Sequence, residues 1–381
     1  MRLIRTPVAV AIVIAIAATS LMACSALGST APTKSKAKAT TAAGATSAAG
    51  ATSATGATRA TGATSATGAT SATGATDTPS ADASKGGLEV GIGDQHAQMF
   101  ADPAFKALGV KIARYFAPYD VATDDNHEQL FYFAAWLQAA QAQGIQPLVA
   151  FYHNLKSPEK MPSVKTYTKD VKLFLKMFPE VTDLQPWNEV NRGNVRSKGD
   201  SFDSPSPKQS AEYYLALKKA CPTCTVVGLD VLDSTTPAAT ISYINAFKKD
   251  VGKKNMPKIW GLHNYSDTNR YSDHGTDAVL ADVPGQVWLT ETGGLAKLSP
   301  SFGFNLSRQK KATQYMFDVA FAHKSRIKRL YIYQWYGPKN EKKQSFDAGL
   351  ANYNGKPRPA YCVVYETLLG KKKCAFKTVK N

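Results

Sequence analysis

The sequence predicts a (β/α)8 barrel, and three observations carry that prediction. From residue 86 onward, short apolar runs alternate with stretches of helical periodicity. The alternation completes eight strand-then-helix units by residue 381, and no second low-complexity break divides the core. Eight such units favour a closed parallel barrel over an open doubly wound sheet, although periodicity by itself does not show closure.

The first unit is "GLEVGIG" (87–93) with a short helix closed by glycine, "PAFKALG" (103–109). "VKIARYF" (110–116) leads to the long helix "HEQLFYFAAWLQAAQAQG" (127–144), which has a C-terminal glycine stop. The third pair is "QPLVAFYH" (146–153) with 165–178, and the fourth is "VTDLQPWNE" (181–189) with 207–220. The fifth is "TVVGLDVL" (225–232) with 237–251, and the sixth is "KIWGLHNY" (258–265) with a weaker helix around 275–281. "QVWLTETGG" (286–294) with 308–323, and "RLYIYQWYG" (329–337) with 359–370, complete the set.

Residues 1–85 do not belong to this core. Arg2 and Arg5 followed by "VAVAIVIAIAA" read as a secretory signal, with an apolar run too short for a comfortable membrane span. Leu21, Met22 and Ala23 before Cys24 resemble the lipobox of bacterial lipoproteins, which implies a lipid-modified Cys24 and residues 1–24 as a lipoprotein signal peptide. Residues 25–85 are almost entirely Ala, Thr, Gly and Ser, a composition that builds no apolar face and reads as a flexible linker. The expected location is the outer side of a bacterial cell membrane, with the membrane reached through the lipid anchor.

Four cysteines remain after Cys24, which suits an oxidising compartment. The simplest of three pairings joins Cys221 to Cys224 and Cys362 to Cys374. "CPTC" has the Cys-x-x-Cys spacing of metal motifs, but no second pair of ligands accompanies it, so no metal or cofactor is expected. Seven of 46 basic and two of 29 acidic residues precede residue 86, which leaves the domain a net +12. Basic runs such as "KSRIKR" (324–329) and "KKK" (371–373) suit an anionic cell-wall polymer or anionic lipid as partner, or plain solubility. Nucleic acid is a poor partner for an exported chain.

In a barrel, chemistry gathers at the C-terminal ends of the strands. Glu189 ends the fourth predicted strand and Glu291 the seventh, each after an apolar run containing tryptophan. A lone strand-end glutamate reads as a solvated loop residue. Two of them opening onto one mouth suit hydrolysis of a glycosidic bond, with one acid protonating the departing oxygen while the other attacks the anomeric carbon or directs water to it.

Trp187-Asn188-Glu189 together with Glu291 resembles the clan of retaining barrel glycoside hydrolases that includes cellulase-like and xylosidase-like families. The resemblance implies Glu189 as acid/base, Glu291 as nucleophile and a β-linked glycan as substrate. It also implies Asn188 at the sugar 2-hydroxyl, Tyr265 orienting the nucleophile, His153 and His263 lining the pocket, and Arg114 keeping the nucleophile ionised. Trp335 would form the aromatic floor beneath the sugar. Many members have proline after the acid, where this chain has Val190, so the likeness reaches the clan and no single family. The competing expectation is a catalytically inactive carbohydrate-binding barrel lipoprotein at the cell envelope, against which both glutamates speak.

Overall fold

The computed structural model describes residues 87–123, 127–194, 204–341, 343–370 and 373–380. Cys24, the signal, the linker, most of the loop at 190–206 and two of the three lysines at 371–373 lie outside the described residues. No helix among those described is long and apolar enough to cross a membrane.

Parallel strands wind round one barrel. β1 (Glu89–Gly93) pairs with β2 (Ile112–Pro118), β2 with β3 (Gln146–Tyr152), and β3 with β4 (Asp183–Gln185). The fifth barrel strand is split into β5 (Thr225–Val226), which pairs with β4, and β6 (Asp230–Leu232), which pairs with β7 (Ile259–His263). Val227 N–H donates to Leu184 O and Gly228 N–H to Ile259 O, so hydrogen bonding carries across the break. β7 pairs with β8 (Gln286–Thr292). A short β9 (Lys297–Leu298) follows; then β10 (Ile327–Tyr333) pairs with both β8 and β1 and closes the ring. β11 (Phe346–Asp347) pairs antiparallel with β9 outside the barrel.

Helices fall where periodicity and caps put them. α1 is Pro103–Leu108, and Asp102 caps it by accepting from Ala104 N–H. α2 is Glu128–Gln141, and α3 is Val164–Met177 with Ser163 as its cap. α4 (Pro207–Ala220) combines a Ser206 cap with proline in the first turn, where the missing N–H costs nothing. α5 is Ala238–Val251, followed by a short α6 (Tyr265–Arg270) that periodicity does not predict, and α7 (His274–Asp282). α8 (Leu306–Ala322) is capped by Asn305, and α9 (Pro359–Leu368) ends the barrel. Cys362 is bonded to Cys374 just beyond α9, and Cys221 to Cys224 after α4, the pairing that spacing favoured.

Two expected strands are shorter than their apolar runs. β4 stops at Gln185 because Pro186 has no N–H to continue the ladder. The fifth strand breaks around Gly228, where a Cβ would lie 2.2 Å from a Pro257 ring carbon, too close for any side chain.

The barrel interior is layered. Near the N-terminal end, Ile112, Leu148, Val227, Trp288 and Tyr331 form a buried apolar cluster of their own. Side chains alternate along a strand, so two residues on the same strands present Arg114, Thr290 and Tyr333 one layer higher. The floor is apolar and the mouth polar, which holds titratable groups over a dry, packed base.

Candidate active site

Glu291 lies inside β8, buried, with both carboxylate oxygens held. Oε1 accepts from Tyr265 Oη–H at 3.0 Å and Oε2 from Arg114 Nη1–H at 2.8 Å. Arg114 stands in mid-β2. It also donates through Nε to Gln185 Oε1 at 2.7 Å, and through Nη2 to Asn188 Oδ1 at 2.6 Å and Asp230 Oδ2 at 3.1 Å. At 1 % exposure it is a buried cation that needs each of these partners.

Glu189 lies four residues past β4 in a turn with φ 49°, left-handed backbone that a non-glycine residue adopts at a cost of about 1–3 kcal/mol. Neighbours impose that geometry. Asn188 N–H donates to Phe151 O of β3 at 2.8 Å, and Val190 N–H to Asp230 O of β6 at 3.0 Å. Asn191 binds Leu232 through both its amide groups, at 2.8 Å each. Trp187 stacks between Tyr119 and Tyr213, which makes it a packing residue. The Glu189 carboxylate meets His263 Nδ1 at 3.1 Å through Oε1 and Arg192 Nη1 at 2.9 Å through Oε2.

His263 ends β7 and touches three acids: Glu189 at 3.1 Å, Asp230 at 3.0 Å and Glu291 at 3.9 Å. Burial alone pulls its pKa down, but Asp230 and Glu291, with the hydrogen bonds to Asp230 and Glu189, raise it to about 10. The imidazole is therefore a cation with both nitrogens donating. Asp230, fully buried, is pushed up by burial yet brought down to about 2 by His263, Arg114 and Thr290. Burial also raises Glu189, but His263 and Arg192 outweigh it and bring that carboxyl to about 2. Glu291 moves the other way: burial lifts it, His263 and Arg114 pull against that lift, and the neighbouring Glu189 charge adds to it.

Oxygens of Glu189 and Glu291 and a ring nitrogen of His263 all lie within 4.8 Å of one another, a spacing that would also suit a metal ion. Two guanidinium groups, Arg114 on Glu291 and Arg192 on Glu189, already supply positive charge to those oxygens.

Of the residues singled out from sequence, Asn188, Arg114, His263 and Tyr265 join the two glutamates in one network. His153 is placed beside them at the end of β3, its Nδ1 3.0 Å from Asn154 O, close enough to Arg192 for that charge to lower its pKa after burial has done so. Trp335 is a correction: it is completely buried against Phe105 and Tyr361, donates Nε1–H to Asp102 at 3.1 Å, and shows no face to a ligand. The aromatic that β10 turns toward the carboxylates is half-buried Tyr333, between Phe116 and Phe346. Asp230, Gln185, Asn191 and Arg192 were missed. A single acid inside the apolar run "GLDVL" was the one available signal for Asp230.

No protein-family model matches the sequence, and no curated protein is similar enough to match it. Solved structures of the same shape include a family 39 glycoside hydrolase from Bacteroides cellulosilyticus WH2, 14 % identical with a TM-score of 0.50. That match covers 74 % of this chain and 63 % of the other, so the chain spans less than two thirds of its length. GH5_18 from Streptomyces cattleya, in complex with GlcNAc, matches at 14 % identity and a TM-score of 0.54, covering 74 % and 80 % of the two chains. A thermostable mutant of a xylanase from Cellvibrio japonicus matches at 13 % identity and a TM-score of 0.55, covering 76 % and 99 %. At such identities the likeness is one of fold: the chain is built on the (β/α)8 barrel that these glycoside hydrolases share.

Proposed function

We propose that the protein is a glycoside hydrolase that cleaves a β-linked glycan with retention of configuration. The observation that carries the reading is the close approach of the two buried glutamates, with oxygens within 4.8 Å of each other at the barrel mouth. Retaining enzymes hold their carboxyl groups roughly 5–5.5 Å apart, and inverting enzymes about 6.5–9.5 Å apart to admit a water. Glu291 attacks the anomeric carbon while Glu189 protonates the leaving oxygen; Glu189 then takes a proton from the water that releases the sugar. Arg114 and Tyr265 aim the nucleophile, Asn188 meets the 2-hydroxyl, His263 and His153 line the site, and Tyr333 takes the floor position expected of Trp335. Export and lipid anchoring through Cys24 place this activity at the outer face of the cell membrane.

The test separates the glutamates by role. Glu291→Ala stops the first step for every substrate. Glu189→Ala slows natural glycans severely but spares the first step on an aryl β-glycoside with an acidic phenol. Azide then accelerates Glu189→Ala and yields a β-glycosyl azide. Xylanases and β-1,4-galactanases among the structures of similar shape put β-1,4-linked polymers first in the substrate panel. Binding without turnover on the whole panel would favour the inactive carbohydrate-binding barrel instead.

A further inference from the structure

Among the described residues, the buried charges at the mouth face one another. Arg114, Arg192 and protonated His263 face Asp230, Glu189 and Glu291, three cations against three anions, all buried. Of the other described neighbours, Tyr265, Tyr333 and His153 are neutral, burial driving both phenols up and the imidazole down, while Asp94 near Tyr333 is held by His96 and the Trp335 and Tyr336 amides. Both Glu189 oxygens are engaged, one by His263 and one by Arg192. In the resting protein, then, Glu189 is a carboxylate with a guanidinium 2.9 Å away, the wrong state for a group that must give a proton to a leaving oxygen. Adding that proton takes from Arg192 and His263 the negative charge that both now face, which a medium of low polarity resists.

A substrate can resolve this if it brings an anion. Arg192 follows Glu189 by three residues, on the 3-10 turn Arg192–Asn194, beside the carboxylate that serves the leaving group. A carboxylate on the departing sugar matches the planar fork of a guanidinium and can take the place Glu189 now holds. The released Glu189 accepts a proton from solvent, the substrate carboxylate replaces the charge it loses, and loss of the Glu189 charge lowers the repulsion that pushes the Glu291 carboxyl up. Resting on the assignment of Glu189 as acid, we propose that Arg192 reads a carboxylate on the leaving-group side, so that the substrate is an acidic β-glycan. A neutral glycan has nothing to draw Arg192 away.

The experiment compares each β-glucan, xylan, mannan and galactan with the same polymer carboxylated by oxidation of its primary hydroxyls or, for xylan, with glucuronoxylan against its carboxyl-reduced form. The wild-type protein should favour the carboxylated partner at least tenfold in kcat/KM, and Arg192→Gln should reduce the ratio to within twofold. On a neutral phenyl β-glycoside, the basic limb of the kcat/KM profile should move up by a pH unit or more in Arg192→Gln, which reads the Arg192–Glu189 ion pair, whereas the lost carboxylate preference is what a merely structural arginine would not produce. Equal or better wild-type cleavage of the neutral polymer overturns the proposal while leaving the glycosidase reading intact. If neither polymers nor activated aryl glycosides are turned over, the glycosidase reading fails, and calorimetric titration with the carboxylated and neutral oligosaccharides decides the proposal. Tighter binding of the carboxylated form, lost in Arg192→Gln, supports it; equal binding overturns it.

Discussion

Glu291 sits within a seven-residue strand hydrogen-bonded on both sides, whereas Glu189 lies beyond a three-residue strand, in a turn held at positive φ by bonds to β3 and β6. Their counter-ions differ in the same way. Arg114 reaches Glu291 from across the barrel, 177 residues away, while Arg192 reaches Glu189 from three residues on. One carboxylate is fixed by the tertiary scaffold alone, and the other is shared between His263 of β7 and a local turn that the scaffold braces. The contrast suits a nucleophile that must not move and an acid/base that must change charge twice in each turnover.

The contrast breaks most severely at Arg114. Arg114→Ala strands Asp230 and Glu291 in the interior and removes donors to Gln185 and Asn188, so unfolding free energy should fall by about 3–5 kcal/mol, read from urea transitions. Tyr265→Phe keeps the ring packed on Phe346 and removes the hydroxyl that donates to Glu291, so it should leave the transition midpoint nearly unchanged while lowering kcat.

A second prediction concerns pH. The His263 pKa rises from 6.5 to about 10 on folding, so its contribution is complete below pH 6.5 and is lost as pH climbs through 10. Asp230 falls from 3.8 to about 2, so its contribution is complete above pH 3.8 and is lost as pH drops through 2. Together they are at full strength between about pH 4 and 6.5. Asp230→Asn should flatten the decline in stability between pH 6.5 and 10, and NMR titration should find the His263 pKa lowered. A decline as steep as that of the unmodified chain would mean that His263 is not the charged centre of the network.

A smaller loss than that at Arg114 isolates the turn. Asn191→Ala removes both bonds to Leu232 and should cost about 1–3 kcal/mol. Its kinetic signature should be selective, with cleavage of poor leaving groups slowed and turnover of activated aryl glycosides spared, since only the Glu189 side is disturbed.

Much of this was legible in the sequence because it depends on periodicity. Eight alternating units placed the strands, glycine stops closed the first helices, and strand ends placed Glu189 and Glu291 at one mouth. What escaped depends on partners distant in sequence. Nothing in "WNEV" announces a left-handed glutamate, since Phe151 and Asp230 impose it from other strands. The break at Gly228 comes from Pro257 pressing on it. In "YIYQWYG" four aromatic residues compete for the mouth; β10 ends at Tyr333, and beyond it Asp94 accepts from Trp335 N–H, so Trp335 packs on Phe105 and Tyr361 and leaves the mouth to Tyr333. Asp230 hid in an apolar run because its partners, Arg114, His263 and Thr290, come from three other strands.

The division of roles between the two glutamates is tested most directly by trapping the covalent intermediate. The protein is incubated with 2,4-dinitrophenyl 2-deoxy-2-fluoro-β-glycosides of glucose, xylose, mannose and galactose, then digested and mapped by mass spectrometry. One glycosyl group on the peptide containing Glu291, absent from Glu291→Ala and still formed in Glu189→Ala, is the expected result. A label on Glu189, or rapid cleavage of the unfluorinated aryl glycoside with inverted product and no label at all, would contradict the account.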